Sequence, residues 1–436
     1  MKDGALVPWL LAGIPLLGAL ASLALWSNPD RLKLSSITWS VISLGAMVGF
    51  SGQLVTPAEG LLPLYLLPLA AVASLLGQPV HEDHRLSWVM TLVCLGLGVG
   101  TLTCRDLSGQ LFLMGLFVSI ILLLYGHHTA LWPISWWGIG SFGLGVLCVV
   151  ISVVAGPPLS SVASLLTCAI LLPLLPFHDG YLTALTRLPG SLPSFIVLLL
   201  PVIGLHEIAT VMPTVPDVVA WTVSLFALVG ALYGAIKALA QSRVRLLLAY
   251  GSLSFFSIFW WFVAASRTVI PPAVVFLGAV ALVTSGLLLA WQVIRTRYGD
   301  DVDPQSISGL ASAMPQYAVL FSLLALAAMG LPPFGVFAGF MGLLLTSPLL
   351  SSIGLCITLI AWFAASWYIM QMVQQLLFGA RRSDLRYADL RQAELASLLL
   401  VVLALLVLGV IPAHLLGPGT MTPTTTTDTG SFAWKK

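Results

Sequence analysis

Few residues in this chain can do acid–base chemistry away from water, and they gather at a few places. Of its four glutamates, Glu59, Glu82, Glu207 and Glu394, only Glu207 falls well inside an apolar run, beside His206. A carboxylate and an imidazole there could bind and release a proton, because charge within hydrocarbon is costly and its survivors are functional candidates. The two side chains are adjacent, so they leave a helix in different directions and need not pair. A position near the membrane face is the alternative reading for Glu207, six residues before Pro213. Lys237 is the one lysine between Lys33 and Lys435. Either it relays protons or it snorkels to the interface as an anchor. His178 and Asp179 form a third pair: an entry point for protons, since histidine titrates near neutral pH, or an interfacial pair that holds a loop.

The run His81-Glu82-Asp83-His84-Arg85 reads as a solvated loop, because no further ligands stand at metal-binding spacing. The five cysteines are scattered through apolar runs and read as small core residues. No nucleophile elbow, phosphate-binding glycine loop, Cys-x-x-Cys pair or haem-attachment motif occurs. Neither a metal nor a cofactor is expected, and the chain has no catalytic site of its own. Net charge is only +2, which argues against nucleic acid as a partner.

The elements that must position these groups are membrane helices. Residues are 59% hydrophobic and 8% charged, against about 25% charged in soluble domains. Apolar runs near the length of about 20 residues that spans a bilayer follow one another along the chain. Backbone groups in lipid must be paired internally, so the runs are helices, about 13 or 14 of them. The expected fold is an all-α polytopic membrane protein, a single transmembrane domain over 1–416. The Thr-, Pro- and Gly-rich stretch 417–436 reads as a disordered polar tail. Basic residues recur at Arg31 and Lys33, Arg85, Arg243 and Arg245, Arg295 and Arg297, and Arg381, Arg382, Arg386 and Arg391. The positive-inside rule puts these loops in the cytoplasm. Two interruptions are expected. Pro201 and Gly204 fall within the run 192–212, and Gly330-Leu331-Pro332-Pro333-Phe334-Gly335 falls within 315–349. Proline removes a helix hydrogen bond, and transporters use such discontinuous helices to bind ions near the midplane.

Three segments, in order, carry a resemblance. Pro176-Phe177-His178-Asp179-Gly180-Tyr181-Leu182 is followed by Ala184 and Pro189; the run Gln241 to Ser254 contains the basic loop; Met314-Pro315 is followed by Gly330-Leu331-Pro332-Pro333-Phe334 and Gly339. Together they resemble the antiporter-like membrane subunits of respiratory complex I and of multisubunit cation/proton antiporters, over about 105–380. The resemblance implies two inverted bundles of about five helices each, a place among other membrane subunits of a larger complex, and an energy-transducing membrane, the prokaryotic plasma membrane. It also implies relay residues that are missing here. Where the family carries a glutamate in the helix matching 108–126, Leu111 to Phe117 has none. The lysine of the helix matching 192–212 falls at Leu199, and the basic residue of the helix matching 271–294 falls at Val280 and Ala281. After the G-L-P-P segment, where a charge is common, Gly339 precedes Phe340. Expected functions are a degenerate or modified proton-conducting subunit beside redox partners, the membrane half of an inorganic carbon uptake system paired with a zinc carbonic-anhydrase-like protein, or an unrelated secondary transporter.

Overall fold

A computed structural model describes residues 6–54, 59–104, 106–126, 135–298, 307–346, 352–379 and 388–411. The tail 417–436 and the basic residues Arg381, Arg382 and Arg386 lie outside the described residues. The described chain is all helix, without a strand. Three helices open it: α1 (Val7–Leu23), α2 (Pro29–Phe50) and α3 (Leu62–Gly77). Next come α4 (Arg85–Thr103), α5 (Asp106–Gly126), α6 (Trp136–Val154), α7 (Leu159–Leu171), α8 (Asp179–Arg187) and α9 (Leu192–Val211). The second half holds α10 (Asp217–Leu239), α11 (Val244–Ser266), α12 (Pro271–Tyr298), the short α13 (Leu310–Ala313), α14 (Pro315–Ala328), α15 (Gly335–Thr346), α16 (Ser352–Leu377) and α17 (Gln392–Val410). Among the described residues, ten helices are long and apolar enough to cross a membrane, and α1, α3, α7, α14 and α15 are shorter apolar ones.

Two of the short pairs are single crossings broken in the middle. Along α8 and back into α7, Thr186 meets Arg245, Tyr181 meets Ser252, and Leu172 meets Trp260. The pair therefore runs steadily along α11 without turning back. Likewise Leu324, Gly335, Gly339 and Gly342 lie against Gly286, Ala279, Phe276 and Pro272 of α12 in that order. Sequence reasoning anticipated the second break and took the first only for a helix end. With each pair crossing once, Lys33, Arg85, Arg187, Arg243, Arg245, Arg295, Arg297 and Arg391 all fall at one end of the bundle. That is the end the positive-inside rule assigns to the cytoplasm as an expectation.

Each break closes its own backbone. At α14, Gly330 takes φ +70°, which costs glycine nothing. The Leu331 N–H donates to the Leu326 carbonyl (3.2 Å) and the Gly330 N–H to the Ala327 carbonyl (3.1 Å), a Schellman closure. At α7, the Trp260 indole N–H donates to the Leu172 carbonyl (2.9 Å), which satisfies a group that lipid could not.

The expected break at Pro201 and Gly204 does not form. α9 runs as one helix from Leu192 to Val211 with Pro201 inside it. Proline withdraws one donor, and packed membrane helices tolerate that loss. Gly204 serves a neighbour instead. A Cβ there would stand 2.8 Å from Leu172 Cβ and 3.0 Å from its backbone N, so glycine lets the end of α7 lie against α9.

The order of crossings repeats. α4, α5, α6, α7–α8 and α9 form one set of five; α10, α11, α12, α14–α15 and α16 form another. The broken crossing is fourth in each. The first set enters from the basic end and the second from the opposite end, so the two are inverted. α12 is buried along its spanning length at the centre of the bundle.

Candidate functional site

Ionisable side chains occupy both ends of the bundle, and the middle has almost none. At the outer end, opposite the basic loops, the last two turns of α9 carry His206 and Glu207. Each has a hydrogen-bond partner on another element. His206 Nδ1 lies 2.5 Å from Oε1 of Glu59, a carboxylate in the turn before α3 that is 1% exposed. Glu207 is 8% exposed, and both of its oxygens lie 3.4 Å from Nε2 of Gln110 on α5. Sequence reasoning missed Glu59 and Gln110 as members of this group. Each is far from α9 along the chain, and nothing in the local pattern shows that the fold brings them there.

At the α7–α8 break, His178 Nδ1 lies 3.2 Å from the Pro176 carbonyl, so that nitrogen carries the proton. Its Nε2 is 3.9 Å from Asp179, whose side chain is 54% exposed. The His178 ring meets Tyr233 of α10 edge-on, Tyr233 meets Tyr250 of α11 in the same way, and Lys237 Nζ sits 5.7 Å above the Tyr233 ring. Lys237 stands in the last turn of α10, where a cation complements the helix C-terminus. It is exposed, with a cation–π contact to Tyr233.

The basic end holds a seam of buried polar contacts. Arg245 donates to the Thr186 carbonyl (3.1 Å) and to Gln292 Oε1 (3.2 Å), while Arg243 heads the exposed start of α11. Lys33 on α2 donates to the carbonyls of Leu76 (3.4 Å) and Gln78 where α3 ends. Gln78 Oε1 accepts from Ser191 (2.8 Å) and Ser87 (3.3 Å), and Ser191 meets Ser74 at 3.0 Å. Arg297 pairs with Glu394 at 2.7 Å. Among the described residues no group of three His, Cys, Asp or Glu side chains is placed to hold a metal ion.

Between the two ends, apolar side chains line most of the interior, with buried hydroxyls at Ser257, Thr284 and Ser285. From Phe195 to Leu205 α9 presents only apolar residues, all buried, and Leu199 packs where a Cβ on Gly98 would meet it at 2.5 Å. Val280 and Ala281 of α12 and Leu113 and Phe117 of α5 are buried too. After the α14–α15 break, Phe340 stacks on Trp362 with ring centroids 4.0 Å apart, and Phe276 lies against both. Aromatic rings fill the place where a charge would stand. Ser194 and His206 are twelve residues apart on α9, so about 18 Å of helix separates the inner polar seam from the outer cluster.

The chain matches known proteins in both sequence and shape. The family model described as NADH:quinone oxidoreductase/Mrp antiporter, TM, matches residues 86–366. NADH-quinone oxidoreductase subunit N 1 of Aquifex aeolicus (strain VF5) is 28% identical over 163 residues, 36% of this chain; the match spans about a third (35%) of that relative's length. In shape, a chain of respiratory complex I from Thermus thermophilus superposes with TM-score 0.77 at 21% identity, covering 94% of this chain and 95% of that one. A chain of the Mrp complex from Dietzia sp. DQ12-45-1b gives 0.74 at 16% identity, with 94% and 95% covered. A chain of the archaeal membrane-bound sulfane sulfur reductase gives 0.77 at 15% identity, with 93% and 94% covered. These three likenesses are of fold. The family match covers well over half the chain, and with the inverted, twice-broken bundle it makes this protein a member of the NADH:quinone oxidoreductase/Mrp antiporter transmembrane family.

Proposed function

We propose that this chain is an antiporter-like subunit of a multisubunit energy-converting complex in a prokaryotic plasma membrane, and that within it the chain is a scaffold rather than a proton conductor. One observation carries the reading: the positions where the family's relay would run, Leu199, Val280, Ala281 and Phe340, hold buried apolar side chains. A proton path needs ionisable groups or water at hydrogen-bond spacing. Phe340 on Trp362, Leu199 on Gly98, and Val280 with Ala281 supply no ionisable group. The groups that sequence reasoning offered as a path, Glu207, His206, Lys237, His178 and Asp179, divide between two clusters that the apolar stretch of α9 holds apart.

Proton translocation by the intact complex in proteoliposomes tests this. Glu207→Gln and Lys237→Gln are each expected to leave the translocated charge per turnover within twofold of wild type, with assembly unchanged. A tenfold loss in either variant, in a fully assembled complex, would make the chain a conductor. Affinity purification in mild detergent identifies the partners. Dehydrogenase or hydrogenase subunits with further antiporter-like chains are the expected result. A single large zinc protein would instead place the chain in inorganic carbon uptake, and transport by the isolated chain would make it a self-contained transporter.

A further inference from the structure

A cavity opens at the basic end of the bundle, where the turn between α10 and α11 meets the last turns of α16. Its volume is about 210 Å³, more than tenfold the roughly 10–15 Å³ that one water needs. Gln241 and Ser242 of the turn line it, with Leu247 of α11 and with Tyr368, Gln371 and Gln375 of α16. Those three α16 residues cover about 10 Å of helix, so the cavity reaches from the helix end down to Tyr368. Tyr368 is 2% exposed, and its hydroxyl, against Gly251 of α11, makes no hydrogen bond among the described residues. Among the described residues no charged side chain lines the cavity; neither Lys237, which sits over the Tyr233 ring, nor Arg243 does. Two helix ends supply partial charge instead. The last carbonyls of α10 are negative, and the first N–H groups of α11, which no side chain caps, are positive. A ligand with one charge of each sign a few bonds apart suits that pair, and a lone ion of either sign does not. The surface below the mouth is apolar. Phe363, Trp367 and Gln371 follow one another at four-residue spacing on one exposed face of α16, and Ile236 and Leu239 of α10 are exposed beside the Ala238 rim. Apolar surface thus gives way to amide at the depth where a lipid has its headgroup.

We propose that this cavity binds the headgroup of a phosphoethanolamine lipid from the leaflet on the basic side. The phosphate sits at the start of α11 and accepts from Ser242 and the glutamine amides. The ammonium sits at the end of α10, and the acyl chains run down the exposed faces past Trp367, Phe363 and Ile236. The bound lipid joins the α10–α11 turn to α16. The site does not depend on whether the chain conducts protons, because it lies at one end of the bundle and uses none of the groups that a path would use.

Native mass spectrometry tests this on the purified full-length protein, with any subunits that accompany it, released from nanodiscs of equal parts phosphatidylethanolamine and phosphatidylglycerol. The wild type is expected to keep one more phosphatidylethanolamine than two variants do. Gln371→Trp fills the mouth from an exposed position, and Gln371→Leu with Gln375→Leu removes both amides of α16. Each is expected to lower the retained fraction about tenfold, the effect of losing one hydrogen bond to a charged group. Retention that neither variant changes overturns the proposal. So does equal retention of phosphatidylglycerol, which would make the site one for phosphate alone. A benzophenone side chain at 371 that cross-links in intact membranes to protein and not to lipid overturns it as well, because a neighbouring subunit then fills the cavity. If the leucine pair fails to fold, Gln371→Trp and the cross-link still decide.

Discussion

Lys33 shows how far neighbours decide what a charged residue does. Its ammonium is buried at the end of α3, donates to two backbone carbonyls there, and feels the Glu394 carboxylate nearby. Glu394 also pairs with Arg297 and accepts from the Arg391 backbone N–H at 2.9 Å, which caps α17. One buried carboxylate thus answers to two cations and a helix start. Removing one member of a buried pair typically costs about 3–5 kcal/mol, whereas replacing both members with apolar groups is often neutral. Glu394→Ala is therefore expected to lower the thermal midpoint of the purified protein strongly, and Arg297→Met with Glu394→Leu to lower it less. Equal losses in the single and double variants would show that the pair itself contributes little. From sequence, Glu394 and Arg297 are simply charges near helix ends. Their partnership joins residues almost a hundred positions apart, and no local spacing encodes it.

At the scale of elements, the two broken crossings depend on close approach. Gly339 brings α15 against α12 so tightly that a Cβ would lie 2.5 Å from the backbone N and Cα of Phe276. Helices meet this closely in membranes where small residues face each other. Gly339→Val should push α15 off α12 and sharply reduce the yield of monodisperse protein in size-exclusion chromatography. Gly143→Val on α6, where nothing lies within 4 Å, should leave the yield near wild type and serves as the control. Trp260→Phe probes the other break. It strands the Leu172 carbonyl and is expected to cost about 1–3 kcal/mol, read as a lower thermal midpoint. An unchanged midpoint would mean that another donor takes over. The break at Gly330 to Gly335 is legible in sequence because glycine and proline announce it. The break after Leu171 is less so, since leucines surround its prolines, and Pro201 misleads because a buried helix absorbs it.

The whole molecule has a sidedness that one pair of labels can test. Ser242 lies in the exposed turn between α10 and α11, and Asp217, at the start of α10, pairs with Arg267 at the other end. In a Cys356→Ser background, cysteine at 242 should react with a membrane-impermeant thiol reagent in inside-out vesicles and not in intact cells. Cysteine at 217 should do the reverse. Labelling of residue 242 from outside would invert the topology and move the Glu59–His206–Glu207 cluster to the cytoplasmic face. The exposed apolar faces, including Ile353, Ile360, Phe363 and Trp367 on α16, fit lipid or neighbouring helices.

Composition decided that the chain is a bundle of membrane helices, because its long apolar runs must pair their polar backbone groups within each segment in lipid. The basic loops predict its sidedness, and three short motifs in order point to its family. The absence of charge at Leu199, Val280, Ala281 and Phe340 was also legible, since a side chain that cannot ionise needs no structure to say so. Only the tertiary structure decided what fills those positions, here a packed core with aromatic stacking, and which survivors meet. Glu59 with His206, Gln110 with Glu207, and Lys33 with the end of α3 are long-range encounters. They follow from how the helices pack, which the sequence determines only through the sum of many contacts and never through a local pattern.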